Sequence, residues 1–111
     1  MEIKEIIQDN ITVLDLFGKI DVNSAKTFQE KFSEIAGRGD KYVILNCENL
    51  SYVSSSGLRV FLMFLKHINK IGGKLMITAM NEIIYEVFEI SGFLPIFNIS
   101  KTIEEAKKEF L

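Results

Sequence analysis

The sequence predicts an α/β fold in which an N-terminal β-hairpin leads into a (βα) superhelix. The sheet is mixed and mostly parallel, with about five strands, and four helices cover one face. Three observations predict it. Two short runs rich in β-branched residues flank Asp9-Asn10, a pair that tolerates turn geometry. Beyond them strand-like and helix-like segments alternate strictly. One strand-length run, Tyr42–Cys47, is nearly all apolar, as an interior strand of a covered sheet must be.

The elements follow in order. Glu2–Gln8 and Ile11–Phe17 form the hairpin, and Gly18 closes the second strand. Asp21, Asn23 and Ser24 offer caps for a helix whose apolar stripe is Ala25, Phe28, Phe32 and Ile35. Gly37 and Gly39 end it. Strand Tyr42–Cys47 precedes a polar segment, Glu48–Ser56. Leu58–Ile71 is too long for a strand, and Leu58, Phe61, Leu62, Leu65 and Ile68 share one helical face. Gly72-Gly73 stops this helix before the strand Lys74–Thr78. Asn81 caps a third helix with the stripe Ile83, Ile84, Val87 and Phe88, ended by Ser91-Gly92. Pro95 sits before a short strand, Ile96–Ile99. Ser100 or Thr102 caps a last helix with Ile103, Ala106 and Phe110 inward. Sequential strands joined by right-handed crossovers put every helix on the same side of the sheet.

Composition excludes several classes of function. At 111 residues, 48% hydrophobic and 25% charged, the chain suits one packed domain, residues 1–111, and not a disordered one. A net charge of −2 with no basic run disfavours direct nucleic-acid binding. The longest apolar run, Val60–Leu65, is far too short to span a bilayer, so no membrane partner is expected. Met1–Asn10 is acidic early and does not read as a secretory signal. The single cysteine, Cys47, cannot form an internal disulfide and reads as a core residue in a reducing compartment, hence cytoplasmic. One His and one Cys cannot build a His/Cys metal cluster. Calcium-loop, Walker and dinucleotide spacings are absent, and neither cofactor nor metal is expected.

The unusual segment is Ser54-Ser55-Ser56-Gly57, between a buried strand and a helix start. Sites in open parallel sheets gather at the carboxyl ends of strands. A helix start exposes unpaired N–H groups and the positive end of the helix dipole, so a phosphate on a serine there is electrostatically favoured. Gly57 leaves room for a large partner to approach. The plain alternative is that these serines are caps, and one of them is expected to be. A serine nucleophile is disfavoured. Val53 stands where the nucleophile elbow has Gly, and His67 lies on the same helix, about 18 Å away at ~1.5 Å per residue. No catalytic residue is assigned. Off the core face, Val60, Met63 and Phe64 either bury between two neighbouring helices, the reading preferred here, or offer a partner an apolar patch.

The stretch Leu50-Ser51-Tyr52-Val53-Ser54-Ser55-Ser56-Gly57-Leu58-Arg59-Val60 resembles the signature of the bacterial anti-sigma factor antagonists, the STAS-domain family. The resemblance extends over the chain. Phe17-Gly18-Lys19-Ile20-Asp21 is similar to the family's segment after the hairpin. Val87–Phe93 and Ile96–Ile99 are similar to its third helix and last strand, and Glu104-Glu105-Ala106 to its final helix.

The resemblance implies a non-enzymatic protein that binds an anti-sigma factor, itself a serine kinase, and so frees a sigma factor. Phosphorylation at Ser55 switches it off, and a serine phosphatase restores it. Many members carry Asp where this chain has Ser54, which keeps Ser54 and Ser56 as alternative acceptors. Asp21 matches the family's other acidic position. The partner-contact candidates are Asp21, Ser54, Ser56, Gly57, Arg59, Val60 and Met63, and the chain is expected to be a monomer when free. The alternative is a STAS scaffold or sensory module in another signalling complex, stressosome-like or ligand-binding.

Overall fold

Asp9 and Asn10 both adopt left-handed backbone angles, φ 53° and 66°, the geometry of a tight two-residue turn. That turn joins β1 (Glu2–Gln8) to β2 (Ile11–Ile20) in antiparallel register, Gln8 opposite Ile11 and Glu2 opposite Phe17. The computed structural model describes residues 1–111. The chain continues through α1 (Ala25–Arg38), β3 (Tyr42–Val53), α2 (Ser55–Lys70), β4 (Lys74–Thr78) and α3 (Glu82–Ile90). A short 3₁₀ turn (Leu94–Ile96), β5 (Asn98–Ser100) and α4 (Ile103–Lys108) complete it. The strands lie in chain order β1-β2-β3-β4-β5, and every pair after the hairpin is parallel. The α/β fold with a five-stranded mixed sheet and four helices is the one expected.

Two strands run further than the sequence suggested. β2 does not close at Gly18, and the polar segment after Cys47 is strand as far as Val53. The two extensions hold each other: Phe17 pairs with Asn49, Gly18 with Leu50, Lys19 with Tyr52 and Ile20 with Val53, across two register shifts. Gly18 sits inside β2 at φ 89°, which lets the strand bend there without ending. Backbone pairing needs no apolar alternation, so hydropathy could not mark this stretch.

One face of the sheet carries the main core. Leu14, Leu16, Val43, Leu45, Cys47, Leu75 and Ile77 meet α1, α2 and α3 there. Phenylalanines tie this layer together, with Phe28–Phe61, Phe28–Phe64, Phe61–Phe88 and Phe88–Phe97 centroids 5.1, 5.4, 5.2 and 5.6 Å apart. Cys47 is fully buried, and burial pushes its thiol up to about 12.

The fourth helix departs from the expectation that all helices share a face. Val13, Ile44 and Met76, of opposite parity along the strands, form a second cluster with Ala106, packed by Ile103 and Phe110 of the α4 region. The handedness rule applies to a helix that connects two parallel strands. α4 comes after β5 and is not a crossover between two of the five strands, so the rule does not place it, and it covers the otherwise bare face. Two smaller corrections concern α3 and β5. Ile83 points out of α3, leaving Ile84 and Phe88 as its buried stripe. The final strand is Asn98–Ser100, because the 3₁₀ turn Leu94–Ile96, with Pro95 in its middle, takes up the first residue of the predicted strand.

Gly73 is the tightest backbone approach. A Cβ there would stand 2.1 Å from the Lys41 carbonyl oxygen, which also accepts the Lys74 N–H at 2.7 Å. Backbone cannot swing aside as a side chain can. Gly73→Ala is expected to cost about 3 kcal/mol, read as a fall in the urea midpoint at unchanged slope.

Candidate functional site

Parallel topology puts the starts of α1, α2 and α3 at one end of the sheet, beyond the carboxyl ends of β2, β3 and β4. Ser54, Ser55 and Ser56 lie in the middle of that end. They have three different environments.

Ser54 is the cap. Its backbone is extended (φ −82°, ψ 172°), its Oγ accepts the Gly57 N–H at 3.1 Å and its carbonyl accepts the Leu58 N–H at 2.9 Å. Its own N–H donates to the Ile20 carbonyl at 2.7 Å. At 8% exposure, with its hydroxyl engaged, it is built into the structure. Ser56 is half-buried, whereas Ser55 is exposed at the first helical position and its hydroxyl makes no bond to the protein.

Gly57 has a role other than leaving room for a partner. It is buried, and a Cβ on it would lie 2.7 Å from Ile20 Cγ2 and 3.1 Å from Val53 Cγ1. The missing side chain lets the start of α2 seat on the paired ends of β2 and β3.

Asp21 stands at the end of β2, next to the strand that leads into the serines. Its carboxylate accepts the Ser24 N–H at 2.8 Å, while its own N–H donates to Ser24 Oγ at 2.9 Å. This is a reciprocal cap one turn ahead of α1, and Ser24 Oγ also reaches the Lys19 carbonyl at 2.8 Å. The Ser24 backbone N–H, then its hydroxyl, hold the Asp21 carboxyl below the usual carboxylate range. The two readings of Asp21 therefore coincide: it is a cap, and it faces the end that carries Ser55.

Of the other partner-contact candidates, only Arg59 is fully on the surface. Val60 is 2% exposed and belongs to the main core, so it has no surface to offer. Met63 is half-buried against the same core. α2 lies between α1 and α3, and the preferred reading of burial holds for Val60 and Phe64. His67 rests edge-on against Phe32 of α1 at 5.9 Å, with no hydrogen-bond partner for Nε2; nothing brings it to Ser55.

Sequence reasoning missed two apolar residues at this end. Val22, 73% exposed, sits in the turn into α1, and Ile83, 59% exposed, lies in the first turn of α3. Both sit in or beside a helical stripe, which reads as buried. Only the layer geometry shows that the first turn of each helix overhangs the sheet. A separate cleft of about 790 Å³ lies between α3 and β5, lined by Met80, Tyr85, Leu94, Phe97 and Ile99 and by the charged Lys101 and Glu105. It includes none of the three serines.

Comparison with known proteins gives a consistent result. The STAS domain family model matches residues 2–106. BtrV of Bordetella bronchiseptica, named provisionally an anti-sigma factor antagonist, is 32% identical over 92% of this chain and 88% of its own. The anti-sigma-B factor antagonist of Staphylococcus aureus is 27% identical over 94% of this chain and 96% of its own. A Thermotoga maritima crystal structure, under the same provisional name as BtrV, superposes with a TM-score of 0.92. It is 25% identical, covering 96% of this chain and 92% of that one.

Two measurements check the local architecture. Ser54→Ala is expected to cost about 1 kcal/mol through loss of the cap, and Gly57→Ala about 1–3 kcal/mol through overpacking against Ile20, both by chemical denaturation. In a carbon-detected NMR titration the Asp21 carboxyl is expected to titrate below the ordinary value of about 3.9. A depressed carboxyl contributes stability above its unfolded value, and that contribution is lost as pH falls through the folded one. Ser24→Ala is expected to raise the Asp21 midpoint.

Proposed function

The chain belongs to the STAS domain family, and from that premise we propose that it is an anti-sigma factor antagonist switched by phosphorylation at Ser55. Unphosphorylated, it binds an anti-sigma factor that is also a serine kinase, and a sigma factor is released to RNA polymerase. The kinase brings nucleotide and metal and modifies Ser55; a serine phosphatase reverses the change. In this reading residues 1–111 act in the cytoplasm as a single STAS domain, monomeric when free and without catalysis of its own. No helix is long and apolar enough to cross a membrane.

One observation carries the choice of residue. Among the three serines, Ser55 alone is both exposed and uncommitted, while Ser54 is held as a cap and Ser56 is half-buried. The names of the relatives support the class of partner. Around Ser55, the exposed Val22, Ile83 and Arg59, together with Asp21, form a mixed apolar and charged end of the kind a protein partner covers. A phosphoserine there adds about −1.5 to −2 charge to a surface the partner must desolvate. A loss of about 3 kcal/mol weakens binding roughly a hundredfold. A second reading, a ligand-sensing STAS module, is favoured by the cleft beside Lys101.

The test is a pull-down from the source organism with phosphosite mass spectrometry. The expected result is a kinase-type anti-sigma factor bound to the unmodified protein, addition of one phosphate with ATP, and none in Ser55→Ala. Full labelling of Ser55→Ala overturns the acceptor assignment, and capture of signalling proteins without any anti-sigma factor favours the second reading.

A further inference from the structure

We infer that Arg59 is the internal counter-ion of the phosphate on Ser55, so that phosphorylation withdraws a charge from the partner surface as well as adding one. This rests on Ser55 being the acceptor. The chain has two arginines. Arg38 is fully engaged, with Glu5, Glu34 and Asp40 at 3.0, 3.4 and 2.7 Å. Arg59 is exposed and makes no ion pair or side-chain hydrogen bond. Its own helix offers it nothing, because α2 (SSGLRVFLMFLKHINK) contains no acidic residue at all.

This is an unusual way to begin a helix. The first turns of a helix favour negative charge, since the dipole and the unpaired N–H groups are positive there. α2 carries a guanidinium near that end with no carboxylate to balance it. Ser54 takes the Gly57 and Leu58 N–H groups, and the Ser55 and Ser56 N–H groups, the first two of the helix, have no intrahelical acceptor. A phosphate on Ser55 supplies what is missing.

The spacing suits the pair. Residues four apart on a helix have Cβ atoms about 5–6 Å apart, and helical side chains lean toward the N-terminus. Arg59 therefore leans back over the turn that holds Ser55. An acid four residues before a base is the favoured order, and the planar guanidinium matches phosphate oxygens bidentately. Other charges share this end. Lys19 and Asp21 stand at the end of β2, attractive and repulsive respectively, and Glu82 opens α3. Arg59 is the only charged group on the phosphate's own helix within one turn.

The consequence is a switch with two points. Before modification the partner finds a neutral hydroxyl and a guanidinium able to pair with a carboxylate of its own. Afterwards it finds a partly neutralised phosphate and an arginine already engaged. α2 need not move.

The test installs phosphoserine at position 55 of the full chain by genetic encoding, so that no kinase is needed. The second phosphate ionisation is then followed by phosphorus NMR across pH in the otherwise unaltered protein, in Arg59→Gln and in Arg59→Lys. Free phosphoserine ionises near pH 6. The protein that keeps Arg59 is expected to titrate about half a unit below Arg59→Gln, with Arg59→Lys between them and the difference shrinking in ~1 M salt. Coincident curves for the protein that keeps Arg59 and for Arg59→Gln overturn the inference, and leave Ser55 as a phosphorylation site untouched. Failure of a kinase to modify Ser55 would instead remove the function while leaving the measured contact standing.

Discussion

The parallel pairing of β2 with β3, carried beyond the ends of the ordinary sheet, is the constraint on which the rest depends. Ile20 is its last member. It pairs with Val53, its carbonyl accepts the Ser54 N–H, and its side chain fills the space that Gly57 leaves open. The next residue, Asp21, begins the cap of α1. One buried isoleucine thus joins the turn into α1 to the turn into α2. The serines and the acidic residue share an end of the molecule because their strands are neighbours, and they keep a fixed relation because Ile20 is clamped between them.

Below this end the phenylalanine layer sets how far a charge can move anything. Phe28, Phe61, Phe64, Phe88 and Phe97 connect α1, α2, α3 and the approach to β5 through edge and tilted contacts. Each aromatic pair contributes about 0.5–1.5 kcal/mol beyond its burial, and every buried large side chain about 1.5–3 kcal/mol. A charge at an exposed helix start is worth about 0.3–1 kcal/mol. The layer wins by a wide margin. On the proposed reading, a phosphate on Ser55 would act on what a partner touches and leave the fold as it stands, which suits a switch read at a surface.

The parts of this arrangement that were legible in the sequence are those set by local chemistry. Asp9-Asn10 announced the hairpin, Asn81 announced its helix, Thr102 is the one of the two expected caps that starts the last helix, and β4 runs from Lys74 to Thr78 as expected, directly after Gly73. Long-range packing set the remainder. The tail of β3 is mostly polar because pairing with β2 carries it, with Leu50 and Val53 alone turned into the core. α4 lies on the second face because it is not a crossover between two of the five strands, so the handedness rule does not place it. Gly57 reads as an open approach in one dimension and proves to be a close packing contact in three. At the site the segment was legible and the division of labour was not: three adjacent serines look alike until Ile20 and Gly57 determine which one turns inward.

The distribution of charge follows the same division between ends. Away from the helix starts, Arg38 and Lys31 of α1 meet Glu5 of β1, Glu34 and, for Arg38, Asp40, which also accepts the Thr12 hydroxyl at 2.8 Å. Exposed pairs contribute little singly, about 0–1 kcal/mol, but a network of several holds its members in place. That network fastens the last turn of α1 to the hairpin, far from the serines. At the other end Arg59 stands without an acid and Val22 and Ile83 without a cover. A chain that compensates its charges so fully at one end could have done so at both. Leaving the start of α2 alone uncompensated, while Asp21 caps α1 and Glu82 lies in the first turn of α3, makes sense on the proposed reading, in which the balancing group arrives from outside, as a partner's surface in one state and as a phosphate in the other.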